Sequence, residues 1–188
     1  QFGDDEMRAL IEEATRLGRK VMAHAHGGAG LMAAVKAGAA SIEHGSLVDD
    51  EAIAAMKARG TYLVPTLIIL EEIVSDGVRK GVPANSIAKA TAIAEERRRR
   101  LRHAYQSGVK FALGTDATSD IHGRNGEEFK YMVDILGATP MDAITIGTMN
   151  AATLLGVEKD FGSVAVGKVA DLVAVQGNPL QDVSLLAR

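Results

Sequence analysis

At 188 residues and 47% hydrophobic content, the chain is long enough for one domain with a sizeable core and is neither disordered nor fibrous. Its 21 basic and 24 acidic residues are intermixed and sum to −3, so no charge patch favours nucleic acid or an acidic membrane, and the expected partner is a small molecule. With no cysteine, disulfides and thiolate metal sites are excluded, any metal must be held by nitrogen and oxygen, and the cellular location stays open.

No apolar run approaches the roughly 20 residues of a membrane span. The segment Gln1 to Glu6 lacks the basic-then-apolar order of a signal peptide and has no initiator methionine, a hint that it is not the natural start. Apolar residues at Met7, Leu10, Ile11, Ala14 and Leu17 predict a helix from about Asp4, which can cap it, to Leu17, with Gly18 ending it in the left-handed conformation. A short apolar strand follows in Lys20-Val-Met-Ala-His-Ala, bounded by Gly27 and Gly28.

The pattern then repeats. A helix over about 29–37 stops at Gly38 before a strand in Ser41-Ile-Glu-His, and another over 50–59 stops at Gly60 before Tyr62-Leu-Val-Pro-Thr. Pro65 removes a ladder donor, so that strand should end there. A longer helix over about 85–106 ends at Gly108 and leads into Lys110-Phe-Ala-Leu-Gly-Thr-Asp. Such alternation predicts parallel β/α units. A polar loop runs from Asp116 to Gly126, helices follow over about 127–136 and 140–155, and from Gly162 two short β segments joined at Gly167 leave the β/α pattern.

Counting six residues on from each stopping glycine reaches His24, His44, Thr66 and Gly114, with Asp116 two further along its strand. Because strand side chains share a face at every second residue, aligned parallel strands would project His24, His44, Thr66 and Asp116 from one face near the carboxyl ends, where α/β folds keep their sites. Two imidazoles and a carboxylate suit zinc, iron, cobalt or manganese, zinc foremost, and Asp116 can serve as general base. These three residues, His24, His44 and Asp116, are the expected metal ligands. A lone strand histidine is more often a hydrogen-bonded core residue, but two in one register with an aspartate argue for ligation. His26, Thr66 and His122 are the candidate substrate contacts, with Asn125 near the last. His103 should be solvated, and Glu95-Glu-Arg-Arg-Arg-Arg-Leu-Arg should form an exposed, partly ion-paired helix face rather than a nucleic-acid patch.

Val21-Met-Ala-His-Ala-His-Gly, Ser41-Ile-Glu-His-Gly and Leu113-Gly-Thr-Asp-Ala resemble the fifth, sixth and eighth strand motifs of the amidohydrolase superfamily, in the branch of imidazolonepropionase-like proteins and Xaa-Pro dipeptidases (prolidases). Tyr62-Leu-Val-Pro-Thr-Leu, Met149-Asn-Ala-Ala-Thr-Leu-Leu-Gly, Gly162-Ser-Val-Ala-Val-Gly-Lys-Val-Ala-Asp-Leu and Gly177-Asn-Pro-Leu add to the resemblance, which covers essentially the whole chain. It implies the C-terminal half, strands 5 to 8, of a (β/α)8 TIM-type barrel over residues 1–160. Residues 161–188 would be a C-terminal β segment of a small β-sandwich. It also implies His24 as the strand-five ligand, His44 as the strand-six ligand and Asp116 as the strand-eight ligand and proton shuttle.

The family's first-strand His-x-His pair and fourth-strand carboxylated lysine have no counterpart here, because only three further strands of this register follow His24. A complete barrel needs roughly 250 residues. The remainder of the barrel is therefore expected from the same or another chain, and a homo-oligomer is one arrangement allowed. The reading is a hydrolase of C–N bonds (amide, peptide or cyclic amide) using one or two divalent metals. The alternative is an inactive fragment or subunit that needs the missing half-barrel.

Overall fold

Parallel strands alternating with helices build this chain, as the glycine-stopped pattern predicts. A computed structural model describes residues 2–117 and 121–187; Thr118, Ser119 and Asp120 of the loop expected after Asp116 lie outside the described residues. In order, the first elements are α1 (Asp4–Arg16), β1 (Met22–Gly27), α2 (Gly28–Ala37), β2 (Ser41–Leu47), α3 (Asp50–Arg59) and β3 (Tyr62–Val64). They are followed by α4 (Leu67–Asp76), α5 (Ala84–Gln106), β4 (Lys110–Phe111), α6 (Glu128–Tyr131), α7 (Pro140–Thr145) and α8 (Ala151–Leu155). The four strands form one sheet in sequence order, every pairing parallel. No helix among the described residues is long and apolar enough to cross a membrane.

Local chemistry accounts for most boundaries. Asp49 accepts from the Ala52 N–H at 2.9 Å to open α3, and Gly60 closes it at φ 71°. Thr139 and Asp142 form a reciprocal capping box with a proline in the first turn of α7. For α1 the expected cap is displaced by one residue: Gly3 is the N-cap, and the Glu6 carboxylate accepts from the Gly3 N–H at 2.7 Å. Helix α4 was not expected. Its leading run, Leu67-Ile-Ile-Leu, hides helical spacing among β-branched residues, and its first turn is held by a side chain from far along the sequence, as described below.

The core lies between the sheet and its helices. Ile42, Leu63 and Phe111 from the strands pack with Leu31, Val35, Met56, Leu101 and Met132 from the helices, all essentially inaccessible to water. Burial of one such side chain contributes about 1.5–3 kcal/mol. Gly45 shows how tightly the sheet is drawn together: a Cβ there would lie 2.3 Å from Leu63 Cδ1, at φ +53°. The Gly45→Ala protein is expected to be less stable by about 1–3 kcal/mol, from overpacking and the left-handed backbone together. Thermal denaturation measures this, and an unchanged melting temperature would contradict it.

Strand β4 pairs over only two residues, with the Ala112 N–H donating to the Leu63 carbonyl at 3.1 Å beyond them. On its other side the Asn150 side chain donates to the Phe111 carbonyl at 3.0 Å, standing where a neighbouring strand would otherwise bond. The two β segments expected after Gly162 do not form. Val164, Val166, Leu172 and Val173 are exposed and carry no ladder, because among the described residues no strand lies beside them to take their N–H and C=O groups. Strand β1, in turn, is paired among the described residues with β2 alone, and Phe2, Leu10, Met22 and Ala33 line an open groove along it together with His24 and His26.

Candidate active site

The carboxyl ends of the strands bring His24, His26 and His44 together. Ring centroids lie 4.5 Å apart for His24 and His44 and 5.0 Å apart for His26 with each of the others, His26 and His44 being stacked. His44 Nδ1 is 2.8 Å from Thr66 Oγ1, and His26 Nδ1 is 3.0 Å from Ser46 Oγ. Burial pushes His44 down to about 4, the neighbouring imidazoles adding to it while the Asp116 carboxylate opposes. His44 is thus a neutral imidazole near neutral pH, with one nitrogen engaged by Thr66 and the other left for a ligand.

The strands reach this arrangement by a different register from the one counted in the sequence. His24 is level with Glu43, not with His44, and Glu43 is level with Val64. His44 is level with Ala25, on the side of the sheet that packs against the helices. Pleating alone would therefore carry the His44 ring away from His24. The backbone corrects this: His44 has φ 72°, and with Thr66 (48°) and Asp116 (53°) it is one of three described non-glycine residues with positive φ. Each such residue costs on the order of 1–3 kcal/mol and persists only where surrounding contacts impose it. All three are positions singled out for chemistry from the sequence.

Thr66 is held from behind by two buried charges. Arg97 of α5 donates through Nη2 to the Pro65 carbonyl at 2.8 Å and the Thr66 carbonyl at 3.2 Å, while Glu128 of α6 accepts from the Leu67 and Ile68 N–H groups, both at 3.0 Å. A carboxylate at a helix N-terminus satisfies donors the helix cannot. Arg97 is 1% exposed and Glu128 0%, which overturns the expected solvated face at Arg97. The other arginines of that run do keep to an exposed or ion-paired surface, Arg99 and Arg100 on Glu96 and Arg98 on Glu71. One helical turn of the run faces inward because α5 packs on both α4 and β2.

Burial raises Glu128 to about 7, against the pull of its two N–H donors and of Arg97. A carboxyl raised above its unfolded value contributes stability that is fully present below about pH 4.5 and lost as pH rises through about 7. Glu128→Gln is accordingly expected to flatten the fall in stability between pH 5 and 7, measured by urea denaturation. Parallel pH profiles for the two proteins would show the carboxylate ionised throughout.

The other sequence candidates are dispersed. His122 is exposed in the turn after the undescribed residues, and Asn125 Nδ2 donates to Thr115 Oγ1 at 3.3 Å. His103 lies partly exposed with Nε2 2.8 Å from Asp50 Oδ1. Sequence reasoning missed Glu43, half-buried, accepting from Ser41 Oγ at 2.6 Å and raised by burial with a further push from Asp116. It also missed Arg97 and Glu128; one of two adjacent glutamates at the start of a mixed helical segment gives no sign of a partner some 60 residues away. Among the described residues, no three histidine, aspartate or glutamate side chains gather closely enough to hold a cation by themselves. The donor types still fit a divalent metal: two adjacent imidazoles and a carboxylate whose charge is felt at His44 supply part of a shell.

Residues 1–188 match the model of the amidohydrolase family along their full length. The chain belongs to the amidohydrolase family. Ochratoxinase of Aspergillus niger is 37% identical over 187 residues, which is 98% of this chain and 38% of that protein. Imidazolonepropionase of Symbiobacterium thermophilum is 31% identical over 92% of this chain and 37% of its own length. A crystal structure of an Xaa-Pro dipeptidase with methionine bound in its active site superposes with a TM-score of 0.92 at 42% identity, covering all of this chain and 46% of that one. This amidohydrolase chain thus spans less than half the length of the relatives it matches, and its α/β architecture is of the TIM-barrel type those neighbours share.

Proposed function

We propose that this chain is the strand-five to strand-eight half of an amidohydrolase barrel that hydrolyses a C–N bond in a dipeptide, N-acyl amino acid or cyclic amide. The single observation that carries the reading is the coincidence of backbone strain with chemistry: His44 in β2, Thr66 just after β3 and Asp116 in the segment after β4 all take left-handed conformations. The similarity to a dipeptidase, an ochratoxinase and an imidazolonepropionase supports the bond class.

In this reading His24, His44 and Asp116 hold a divalent metal, zinc foremost, with the rest of the shell coming from the other half of the barrel. Such a metal supplies acidified water and a polarised carbonyl. Asp116 accepts the proton released as water attacks and returns it to the leaving amine. His26, two residues after His24 in β1, Thr66 after β3 and His122 on the exposed turn are the proposed substrate contacts. The open edge of β1 and the apolar groove beside it are where the remaining strands dock, from the same chain or another. In that assembly residues 161–188 pair into a small β-sandwich, which gives their exposed valines partners. The comparisons lend no support to an inert fragment as the biological form.

The test is elemental analysis of the complete protein, with His44→Ala as control, combined with a library of dipeptides and N-acyl amino acids. One or two metals per chain, fewer in the variant, together with amide cleavage are the expected results. A complete protein that carries no metal would refute the metal assignment, and one that cleaves no amide would refute the bond class.

A further inference from the structure

The turn between β3 and α4 is gripped on both sides by charges that the chemistry of hydrolysis does not require. Arg97 takes the carbonyls of Pro65 and Thr66, and Glu128 takes the N–H groups of Leu67 and Ile68, so four successive residues are fixed by two side chains from distant elements. Capping α4 would explain Glu128 alone, but it would not explain what stands between the clamps. Thr66 is β-branched and left-handed at φ 48°, ψ 58°, a conformation that glycine adopts freely and threonine resists. Its side chain is buried, and its hydroxyl lies 2.8 Å from His44 Nδ1. A turn maintained only for chain reversal has no need of that hydroxyl.

We propose that Arg97 and Glu128 are positioning residues, holding the Thr66 turn so that its hydroxyl accepts from His44 Nδ1–H and leaves Nε2 presented to the site. Arg97 and the ionised form of Glu128 offset one another inside the core, and Glu71, with an oxygen 3.8 Å from Arg97 Nη1, adds to the compensation. His44 is itself left-handed, so its ring orientation is not secured by regular strand geometry and depends on an outside contact. Partners of this kind around a metal-binding imidazole select the tautomer and aim the ring. The last consequence, that the ring is preset for a cation, rests on the proposed function; the positioning itself does not.

The experiment uses the full-length protein labelled with nitrogen-15 and reads the ring nitrogens of His44 at neutral pH. Thr66→Val is expected to move the His44 resonances. Glu128→Gln and Arg97→Lys should move them in the same direction while the circular dichroism spectrum is unchanged. The double variant Thr66→Val, Glu128→Gln should shift no further than the larger single change, because both act through one hydroxyl. In parallel, zinc affinity measured by competition with a chelator should fall about 10- to 100-fold in each variant. Wild-type protein that binds no zinc would remove the metal reading while the ring signature still decides the positioning. An unmoved His44 ring in folded Glu128→Gln and Arg97→Lys, additive shifts in the double variant, or loss of fold in both buried variants would assign the pair to stability alone and overturn the proposal.

Discussion

Asp116→Asn in the complete protein is expected to lower kcat by about 10²- to 10⁴-fold, the usual contribution of a positioned general base. Asparagine keeps the size of the side chain and tolerates the left-handed backbone that Asp116 adopts at φ 53°, so the fold should survive the change. The variant separates the proton-transfer role from a structural one because stability and rate are read on the same preparation. Activity within about tenfold of wild type would remove Asp116 from that role. An equal loss of thermal stability would instead make the strained turn, not the carboxylate, the reason for the residue.

The second large effect concerns the buried pair. Arg97→Ala leaves the buried Glu128 without its compensating cation and strips two carbonyls of their donor, so a loss of about 3–5 kcal/mol is expected from urea denaturation. A conservative change behaves differently: lysine retains the charge and its N–H donors but replaces the rigid planar guanidinium, whose Nη2 reaches both carbonyls, with a flexible ammonium. If alanine at position 97 costs less than about 1 kcal/mol, as a surface arginine would, the burial of this side chain has been misjudged.

Left-handed residues occur within β2 at His44, just after β3 at Thr66 and in the segment that follows β4 at Asp116. At β2 the conformation turns His44 towards His24 despite a ladder that sets it level with Ala25. At β3 it brings Thr66 under His44. Backbone strain is here the means by which strands of unequal register deliver side chains to one place.

Much of the scaffold was legible from local signals. Glycines at 18, 38, 60 and 108 do take positive φ, and the helices they terminate lie within a residue or two of their expected bounds. Pro65 does mark the end of β3, whose last paired residue is Val64. What escaped notice was non-local. Helix α4 is secured by Glu128, and the inward turn of an arginine-rich helix is decided by what packs against it.

By itself the sequence determined the succession of helices and parallel strands, their stopping points, and the residue types available for chemistry. These follow from hydrophobic period, caps and turn glycines, all of which act over a few residues. Only the tertiary structure decided the stagger between strands, the side on which His44 emerges, and the burial of Arg97 with Glu128. Those depend on how separate elements pack, since strand register and the partner of a buried charge are set by neighbours distant in the chain rather than by the residues beside them.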